Sequence, residues 1–334
     1  MNVALTAFTR RGAALAARLA RDLGADCTVA LGKTLAGPDG YDSVRTWAGE
    51  RFHDTGALIF VGACGIAVRA IAPYVRDKFT DPAVVCVDEA GRYAVPLLSG
   101  HVGGANELAR RVAALTGGAA AIGTATDVNG LLAIDCWAVE RGLIITDRQL
   151  AKAVSAALLN GERVGFASDF GQACPSGLHP GDAALGVWVT ARKEGGPFAQ
   201  TLRLVPKCLC LGIGCRRGTA GAAIRAAVER ALDGWDLAAV KALGTIDLKR
   251  NEPGLLAFAD SAGLPLRVYT AAELQEAEGE FTPSEFVKSV TGVDNVCERA
   301  AVLGGGTLVV KKQAADGVTV AAALEPITIE GELS

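Results

Sequence analysis

The chain has 334 residues, half of them hydrophobic, with 41 glycines and a formal net charge of −3. This length suits two or three domains, and the slight negative charge provides no global positive field for nucleic acid or an anionic membrane. The nine cysteines are too sparse for a disulfide-stapled secreted scaffold, the N-terminus reads as a strand, and no apolar run is long enough to span a bilayer. We therefore expect a cytoplasmic protein with neither a nucleic-acid nor a membrane partner.

The first third of the chain alternates strand-like and helix-like segments. The run "NVALTAF" is followed by the helical pattern "AALAARLARDLG" and the strand-like "CTVAL", and a predicted helix at 44–52 precedes the strand-like "ALIFV" at 57–61. This alternation predicts a parallel sheet with helices on its faces. In "AVVCVDEAGRYAVPLL", two strand-like runs flank a turn at 89–92, which predicts a hairpin at a sheet edge.

The rest of the chain contains two changes of pattern. Residues 131–160 look helical, with Asp147 as a predicted N-cap, and residues 162–205 hold short strands broken by Gly, Pro and Asp. From Lys207 onward, strands and helices alternate again. We predict an α/β protein with a Rossmann-like N-terminal domain (parallel sheet plus hairpin), a small middle α+β region and a separate α/β C-terminal domain. The predicted bounds are 1–135, 136–205 and 206–334.

Three glycine-rich loops each follow a predicted strand and open a helix: "FVGACGIAVRAI", "LLSGHVGGANELA" and "CLGIGCRRGTAGAA". In a parallel sheet such loops lie at the C-terminal strand ends, where α/β proteins bind ligands. Free amides at a helix start attract anions, and Arg69, Arg216 and Arg217 add donors that suit carboxylate or phosphate. The alternative is a set of tight turns with solvated arginines. The third loop reads GxGxxxG, which departs from a dinucleotide fingerprint and argues against a nucleotide cofactor.

His101 lies among glycines in the second of these loops. Its ring is expected to be a general acid or base near neutral pH, or an axial ligand of a bound metal complex, and the alternative is an imidazole that caps or packs. Asn106 and Glu107 follow within about a turn and can orient it. Glu89, on the hairpin turn, can enter the same mouth.

Three cysteines near the third loop raise the question of a metal site. Cys208, Cys210 and Cys215 have CxC spacing followed by a gap of four residues, without the paired CxxC knuckles of structural zinc sites. Core packing is the better explanation for the first two, while Cys215 can face a ligand. We assign no metal site from the sequence.

Several long motifs, taken together, resemble one family. The segment "LIFVGACGIAVRAIAPYVRDKFTDPAVVCVDEAGRYAVPLLSGHVGGANELA" looks like the N-terminal domain of the cobalt-precorrin-5A hydrolase (CbiG) family. The motifs "LGIGCRRGT", "TIDLKRNEPGLLAFA", "LPLRVYTAAEL" and "TGVDNVCERAAVL" resemble its C-terminal domain in the same order. One departure is Cys64, which stands where the family pattern usually reads G-A-T-G-I.

The resemblance implies a hydrolase of the anaerobic, early-cobalt route to cobalamin. Its substrate would be cobalt-precorrin-5A, a cobalt-containing macrocycle with a δ-lactone. Water opens the lactone, the extruded carbon leaves with its methyl group as acetaldehyde, and cobalt-precorrin-5B results. The protein would need no cofactor of its own because the substrate carries the cobalt. Transient contacts with neighbouring enzymes of the pathway are also expected.

The chemistry of that reaction assigns roles to the candidate residues. His101 would activate water or move the proton, with Glu107 and Glu89 as further catalytic candidates, and loop amides would stabilise the oxyanion. Lys249 and Glu252 form a second polar cluster, for which the alternative is an ordinary surface pair. The expected substrate-binding residues are Gly62, Cys64, Gly65, Arg69, Ser99, Gly103, Gly104, Asn106, Gly214, Cys215, Arg216, Arg217, Lys249 and Glu252.

A second function remains open. A non-catalytic carrier that protects or hands on a cobalt-precorrin intermediate would bind the same macrocycle through the same loops. Such a carrier would release no aldehyde.

Overall fold

The computed structural model describes residues 2–24, 26–77 and 80–329. The chain divides into two compact units, Met1–Cys136 and Trp137–Ser334. Its three sheets are mostly parallel and are flanked by helices, which confirms the predicted α/β class. The second unit holds two of these sheets, so an independent middle domain stays a prediction. Among the described residues, no helix combines the length and apolarity needed to cross a membrane.

The first unit is built on a six-stranded sheet with the order β2-β1-β3-β4-β5-β6. The strands are β1 (Val3–Ala7), β2 (Cys27–Val29), β3 (Ala57–Val61), β4 (Ala83–Val87), β5 (Tyr93–Leu98) and β6 (Ala119–Ala120). Its helices are α1 (Arg10–Leu23), α2 (Lys33–Ala36), α3 (Val44–Asp54), α4 (Cys64–Ile71), α5 (Ala105–Thr116) and α6 (Ala125–Val128), and α7 (Ile134–Glu140) begins here. All neighbouring strands pair in parallel except β4 and β5.

Helices cover both faces of this sheet. Successive strand residues point to opposite faces, so Leu5 and Ile59 pack with α1 and α5, whereas Leu58 and Phe60 pack with α3 and α4. All four strand residues are fully buried. A doubly covered sheet of this kind needs near-continuous apolar strands, and the all-buried β1, β3 and β4 meet that need.

The β4–β5 hairpin reverses the direction of β5. In the register, Val87 pairs with Ala94 near the turn and Val84 pairs with Leu98 at the far end. The loop after β5 therefore opens beside the start of β4, whereas the loop after β3 opens beside its end. This corrects the expectation that both glycine loops of the first unit share one edge. The hairpin is not at the sheet margin either, because β6 pairs with β5 beyond it.

The second unit contains two five-stranded sheets, with orders β7-β11-β10-β8-β9 and β14-β13-β12-β16-β15. Their strands are β7 (Leu143–Ile145), β8 (Val164–Ser168), β9 (His179–Pro180), β10 (Leu185–Val189), β11 (Gln200–Pro206), β12 (Leu209–Cys215), β13 (Val240–Ile246), β14 (Leu266–Tyr269), β15 (Thr307–Ala315) and β16 (Val318–Leu324). The helices are α8 (Arg148–Leu159), α9 (Gly221–Ala231), α10 (Pro253–Ala262), α11 (Ala271–Gln275), α12 (Glu285–Thr291) and α13 (Cys297–Gly304). Asp147 caps α8 through bonds to two amides, as the sequence predicts.

In the last sheet, helices also pack on both faces. Leu209, Leu211 and Ile213 of β12 pack with α9 and α10 in one fully buried cluster. On the other face, α13 lies so close that a Cβ on Gly212 would stand 1.7 Å from the carbonyl oxygen of Cys297. Glycine at this position is therefore a packing requirement.

A buried glutamate ties α13 to its surroundings. Glu298 is fully buried, and its carboxyl oxygens accept hydrogen bonds from the amide and hydroxyl of Thr282, at 2.6 and 2.9 Å. They also accept from Asn295 Nδ2 at 2.7 Å and from the Lys312 amide of β15 at 2.7 Å. One side chain thus holds a loop, a helix and a strand together.

Replacing Glu298 with alanine leaves four donors without their acceptor. Each orphaned buried donor costs about 1–3 kcal/mol, so we expect the free energy of unfolding to fall by more than about 3 kcal/mol. Chemical denaturation followed by circular dichroism measures this. Glu229→Ala, an exposed change on α9, is the matched control and should stay within about 0.5 kcal/mol of the parent. Equal effects of the two substitutions would contradict the role of Glu298 in holding the loop, helix and strand together.

Candidate active site

The loop between β5 and α5 is a compact turn that presents His101. Ser99 adopts a left-handed φ of 54° and Gly104 one of 82°, and a Cβ on Gly103 would stand 2.3 Å from the Cβ of Ser99. The buried Ser99 hydroxyl donates to the Asp81 carbonyl at 2.9 Å. The glycines are needed because the chain folds back on itself here.

This fold uses several of the loop amides. The Gly104 amide donates to the His101 carbonyl at 2.8 Å, and the Ala105 amide donates to the Ser99 carbonyl at 3.1 Å. In the β3–α4 loop, the Gly62 amide donates to the Val87 carbonyl at 2.8 Å. The amides of Gly62 and Gly104 are thus engaged and do not suit the oxyanion role predicted for them. An oxyanion role for the Gly103 amide stays a prediction.

The segment after β6 carries an acidic partner to the histidine. Because β6 runs parallel to β5, the chain continues toward the edge where the β5–α5 loop opens. Helix α6 then places Asp127 Oδ2 2.7 Å from His101 Nε2, and Thr126 Oγ1 lies 3.2 Å from the same nitrogen. The carboxylate favours the tautomer with hydrogen on Nε2.

Asp127 is itself held by several donors. Arg110 donates to its Oδ1 at 2.5 Å, while Thr124 and Asn106 donate to its Oδ2 at 2.5 and 2.9 Å. Burial alone would raise the pKa of Asp127, but the hydrogen bonds from Thr124, His101 and Arg110 outweigh it and lower the pKa to about 2. The partner of His101 is thus an ionised carboxylate at neutral pH.

The other ring nitrogen faces a second set of groups. His101 Nδ1 lies 3.7 Å from Oδ1 of Asp135, in the first turn of α7. One donor atom each from His101, Asp135 and Cys136 lie within 4.8 Å of one another. The His101 side chain is 20% exposed, so a small molecule can reach it. We call the set His101, Asn106, Arg110, Thr124, Thr126, Asp127, Asp135 and Cys136 the histidine cluster.

The two glutamates predicted to assist His101 lie in different places. Glu107 is exposed and pairs with Arg110 at 3.4 Å, so it joins the histidine cluster only through that arginine. Glu89 accepts a hydrogen bond from Thr9 at 2.6 Å, beside the end of β1. The length of β5 separates Glu89 from the His101 loop by about 17 Å. The structure therefore does not bring Glu89 and His101 into one site, because the hairpin sends them to opposite edges.

The β3–α4 loop lies at the edge with Glu89. Cys64 opens α4, Gly65 and Arg69 are exposed, and a Cβ on Gly62 would stand 2.7 Å from the Phe8 ring. Burial, and then the neighbouring Cys64, raise the pKa of the Cys86 thiol to about 12. These predicted substrate-binding residues form a group separate from the histidine cluster.

In the second unit, the predicted binding residues do converge. Gly214 and Cys215 end β12, where Arg216 and Arg217 are exposed, and the turn after β13 lies at the same edge because the two strands are parallel. Oε1 of Glu252 accepts from the Gly218 amide at 2.6 Å, and its Oε2 accepts from Lys249 Nζ at 3.0 Å.

Glu252 and Lys249 fix this edge. The Gly218 amide and then the Lys249 ammonium hold the pKa of Glu252 below its usual value. Glu252 is 6% exposed, and its carboxylate connects the loop after β12 to the turn after β13 through its bonds to Gly218 and Lys249. We call this arrangement the Glu252–Lys249 clamp. Arg216 and Arg217 are left at an exposed edge that suits anionic groups.

Sequence reasoning missed the acidic half of the histidine cluster. Asp127, Asp135 and Cys136 lie at least 25 residues from His101, and their approach depends on strand order. The one local signal is Thr124-x-x-Asp127, a hydroxyl–acid spacing typical of helix starts. Thr124 Oγ1 indeed donates to the Asp127 carboxylate.

Three family models match consecutive parts of the chain. They are described as cobalamin synthesis G N-terminal, matching residues 46–127, cobalamin biosynthesis central region, matching 132–206, and cobalamin synthesis G C-terminus, matching 209–323. Together they follow the order of the motifs noted in the sequence.

Full-length relatives agree with these matches. A cobalt-precorrin-5A hydrolase of Salmonella typhimurium is 37% identical over 96% of each chain, and one of Priestia megaterium is 31% identical over 97% of this chain and 95% of its own. A solved structure of a putative cobalamin biosynthesis protein G homolog from Sulfolobus solfataricus is 21% identical, covers 97% of each chain and has a TM-score of 0.40. The chain belongs to the cobalamin synthesis G, or cobalt-precorrin-5A hydrolase, family.

Proposed function

We propose that the protein is a hydrolase of cobalamin biosynthesis that opens the δ-lactone of cobalt-precorrin-5A and releases acetaldehyde, giving cobalt-precorrin-5B. The names of the full-length relatives support this substrate. The observation that carries the proposal is the reachable His101 ring, whose Nε2 lies 2.7 Å from an anchored carboxylate. A histidine oriented in this way is suited to activating water near neutral pH.

The reaction has two parts. Water adds to the lactone carbonyl, the acyl C–O bond breaks, and the proton lost by water goes to the departing alkoxide. The resulting hydroxyl group then loses its proton and becomes the carbonyl of acetaldehyde, while the carbon–carbon bond breaks and leaves its electron pair on the macrocycle. The conjugated ring and its cobalt accept that pair, so the protein has to orient the substrate and manage protons.

His101 is the residue best placed for the first part. Asp127 holds the ring through its contact with Nε2 and stabilises the positive charge that develops when the ring takes a proton. Nδ1 is the atom left to act on water, directly or through another group. The Gly103 amide is the donor that we assign to the tetrahedral oxyanion.

The second unit supplies groups for the acidic arms of the substrate. Arg216 and Arg217 are exposed beside the Glu252–Lys249 clamp, and guanidinium groups pair with carboxylates in bidentate fashion. An acidic chain can thus bind a polycarboxylate through a local basic edge. Cobalt would enter with the substrate, and passage to neighbouring pathway enzymes would require only transient contacts.

The decisive experiment is an anaerobic incubation of the purified protein with the cobalt lactone intermediate. Acetaldehyde is followed through a coupled alcohol dehydrogenase that consumes NADH. We expect release at a rate proportional to protein concentration. Tight corrinoid binding without aldehyde above the uncatalysed background would overturn the hydrolase and support the carrier.

His101→Ala should lower kcat by about 10²–10⁴-fold, the usual contribution of a positioned acid or base. Corrinoid affinity should change little, because the ring is assigned to chemistry and not to the carboxylate arms. The coupled aldehyde assay and a corrinoid titration measure the two quantities. His53→Ala, an exposed histidine of the same unit, is the control. Near-normal turnover of His101→Ala would remove this residue from the mechanism.

Replacing Arg216 and Arg217 together by alanine should weaken corrinoid binding, chiefly through KM. Each charge-assisted bond to a carboxylate contributes about 1.5–3 kcal/mol, so a loss of more than tenfold in affinity is expected. The double change Arg18→Ala and Arg21→Ala removes the same charge from the exposed face of α1 and should leave affinity unchanged. Unaltered corrinoid binding in the Arg216/Arg217 variant would contradict the carboxylate-binding role.

A further inference from the structure

We propose that His101, Asp135 and Cys136 form a binding site for a divalent cation of the zinc type, Zn²⁺ or Co²⁺, with one position open to water. The three donor atoms already lie within 4.8 Å of one another. They come from two separate parts of the first unit, the β5–α5 loop and the first turn of α7. An ion would thus join two segments that are more than 30 residues apart in sequence.

The donor set has a definite chemical preference. One imidazole nitrogen, one carboxylate oxygen and one thiol sulfur suit Zn²⁺ or Co²⁺ better than Mg²⁺ or Ca²⁺, which prefer oxygen alone. Three protein ligands with a fourth position for water are typical of catalytic zinc sites. In a tetrahedral site, ligand atoms are about 3.3–3.7 Å apart. Nδ1 of His101 and Oδ1 of Asp135, 3.7 Å apart, match that spacing, and the full set of donors, within 4.8 Å, would contract slightly around an ion.

The groups behind His101 favour the same use of the ring. Asp127 faces Nε2 at 2.7 Å and holds the hydrogen there, which leaves the lone pair on Nδ1, the nitrogen that lies 3.7 Å from Asp135. Metal-bound histidines almost always give their other N–H to a carboxylate or carbonyl in this way. Asp127 is in turn fixed by Arg110, Thr124 and Asn106, so the ring is set in direction as well as in tautomer.

The three groups can all donate to one cation. With hydrogen on Nε2, Nδ1 of His101 and Oδ1 of Asp135, 3.7 Å apart, are both acceptors, and each can give a lone pair to the same ion. The Cys136 sulfur supplies a third donor of the kind that Zn²⁺ and Co²⁺ accept.

The catalytic consequence rests on the proposed lactone hydrolysis. The ion would bind a water molecule at its open position and lower the pKa of that water toward neutrality. That ion would supply hydroxide for addition to the lactone carbonyl, and the proton that water gave up would go to the departing alkoxide. Nδ1 then acts by holding the ion. This ion is distinct from the cobalt inside the substrate.

Titration of the reduced, chelator-treated chain with Co²⁺ under anaerobic conditions tests the site. We expect one equivalent to bind tightly, with a thiolate-to-cobalt charge-transfer band and the intense visible d–d bands of a four-coordinate ion. Cys136→Ser should lose the charge-transfer band. Cys174→Ser, which changes a comparably part-buried cysteine of the second unit, should keep it. Asp127→Asn should weaken binding by about 10–100-fold, as changes behind a metal-bound histidine do.

Asp135→Asn is a second test variant, included in case Cys136→Ser does not fold. It keeps the shape of the side chain, and thermal unfolding without metal should match the parent, while Co²⁺ affinity should fall. A parent chain without a charge-transfer band, or a Cys136→Ser variant that retains it, would overturn the site. So would an unchanged affinity in Asp135→Asn.

Aldehyde release separates the metal proposal from the proposed function. Loss of activity on chelation and its return with Zn²⁺ or Co²⁺ would support the catalytic role of the ion. Full aldehyde release by the metal-free chain would overturn that role while leaving the hydrolase intact, with His101 as a direct base. Co²⁺ binding at the cluster with no aldehyde from either form would overturn the hydrolase and leave the site standing.

Discussion

The reversal of β5 is the constraint on which the geometry of the histidine cluster depends. Because β5 runs against β4, the loop that carries His101 opens at the edge where β4 begins. Because β6 then runs parallel to β5, the following segment reaches that same edge and delivers Asp127. A single hairpin thus unites residues 26 positions apart and also removes His101 from the Glu89 edge.

The histidine loop and the basic edge of the second unit use similar sequences differently. In the histidine loop, the amides of Gly104, Ala105 and Asn106 are consumed by carbonyls of the loop itself, so its helix start offers few donors to an anion. The side chain of His101 is what the turn presents. In the second unit, the Gly218 amide donates to the Glu252 carboxylate, and the side chains of Arg216 and Arg217 are exposed. Glycine richness marks tight turns in both places, and the neighbouring side chains decide what each turn can bind.

The sequence predicts local features well and the site only in part. The Asp147 cap and the 89–92 turn depend on neighbouring residues, and the structure contains both. The prediction that the glycine loops share one edge was wrong because it assumed that all strands are parallel. The hairpin, which was itself predicted, makes β5 antiparallel to β4 and so moves the second loop to the opposite edge. Asp127 and Asp135 approach His101 through pairing of distant strands, which periodicity cannot show. The burial of Glu298 likewise depends on residues outside its own helix, because its four donors come from Thr282, Asn295 and Lys312.

The charged groups around His101 differ from those at the end of β12. Around the His101 ring, Asp127 pairs with Arg110 and with Nε2, and Asp135 lies 3.7 Å from Nδ1, so carboxylates flank both ring nitrogens. At the β12 edge, Lys249 pairs with the buried carboxylate of Glu252, while Arg216 and Arg217 are exposed, and exposed guanidinium groups suit carboxylates. Hydrolysis of a polycarboxylate calls for two kinds of group, a ring that can accept a proton, such as His101, and guanidinium groups that pair with carboxylates, such as those of Arg216 and Arg217. The two kinds of group lie in different units of the chain because they depend on different sheets.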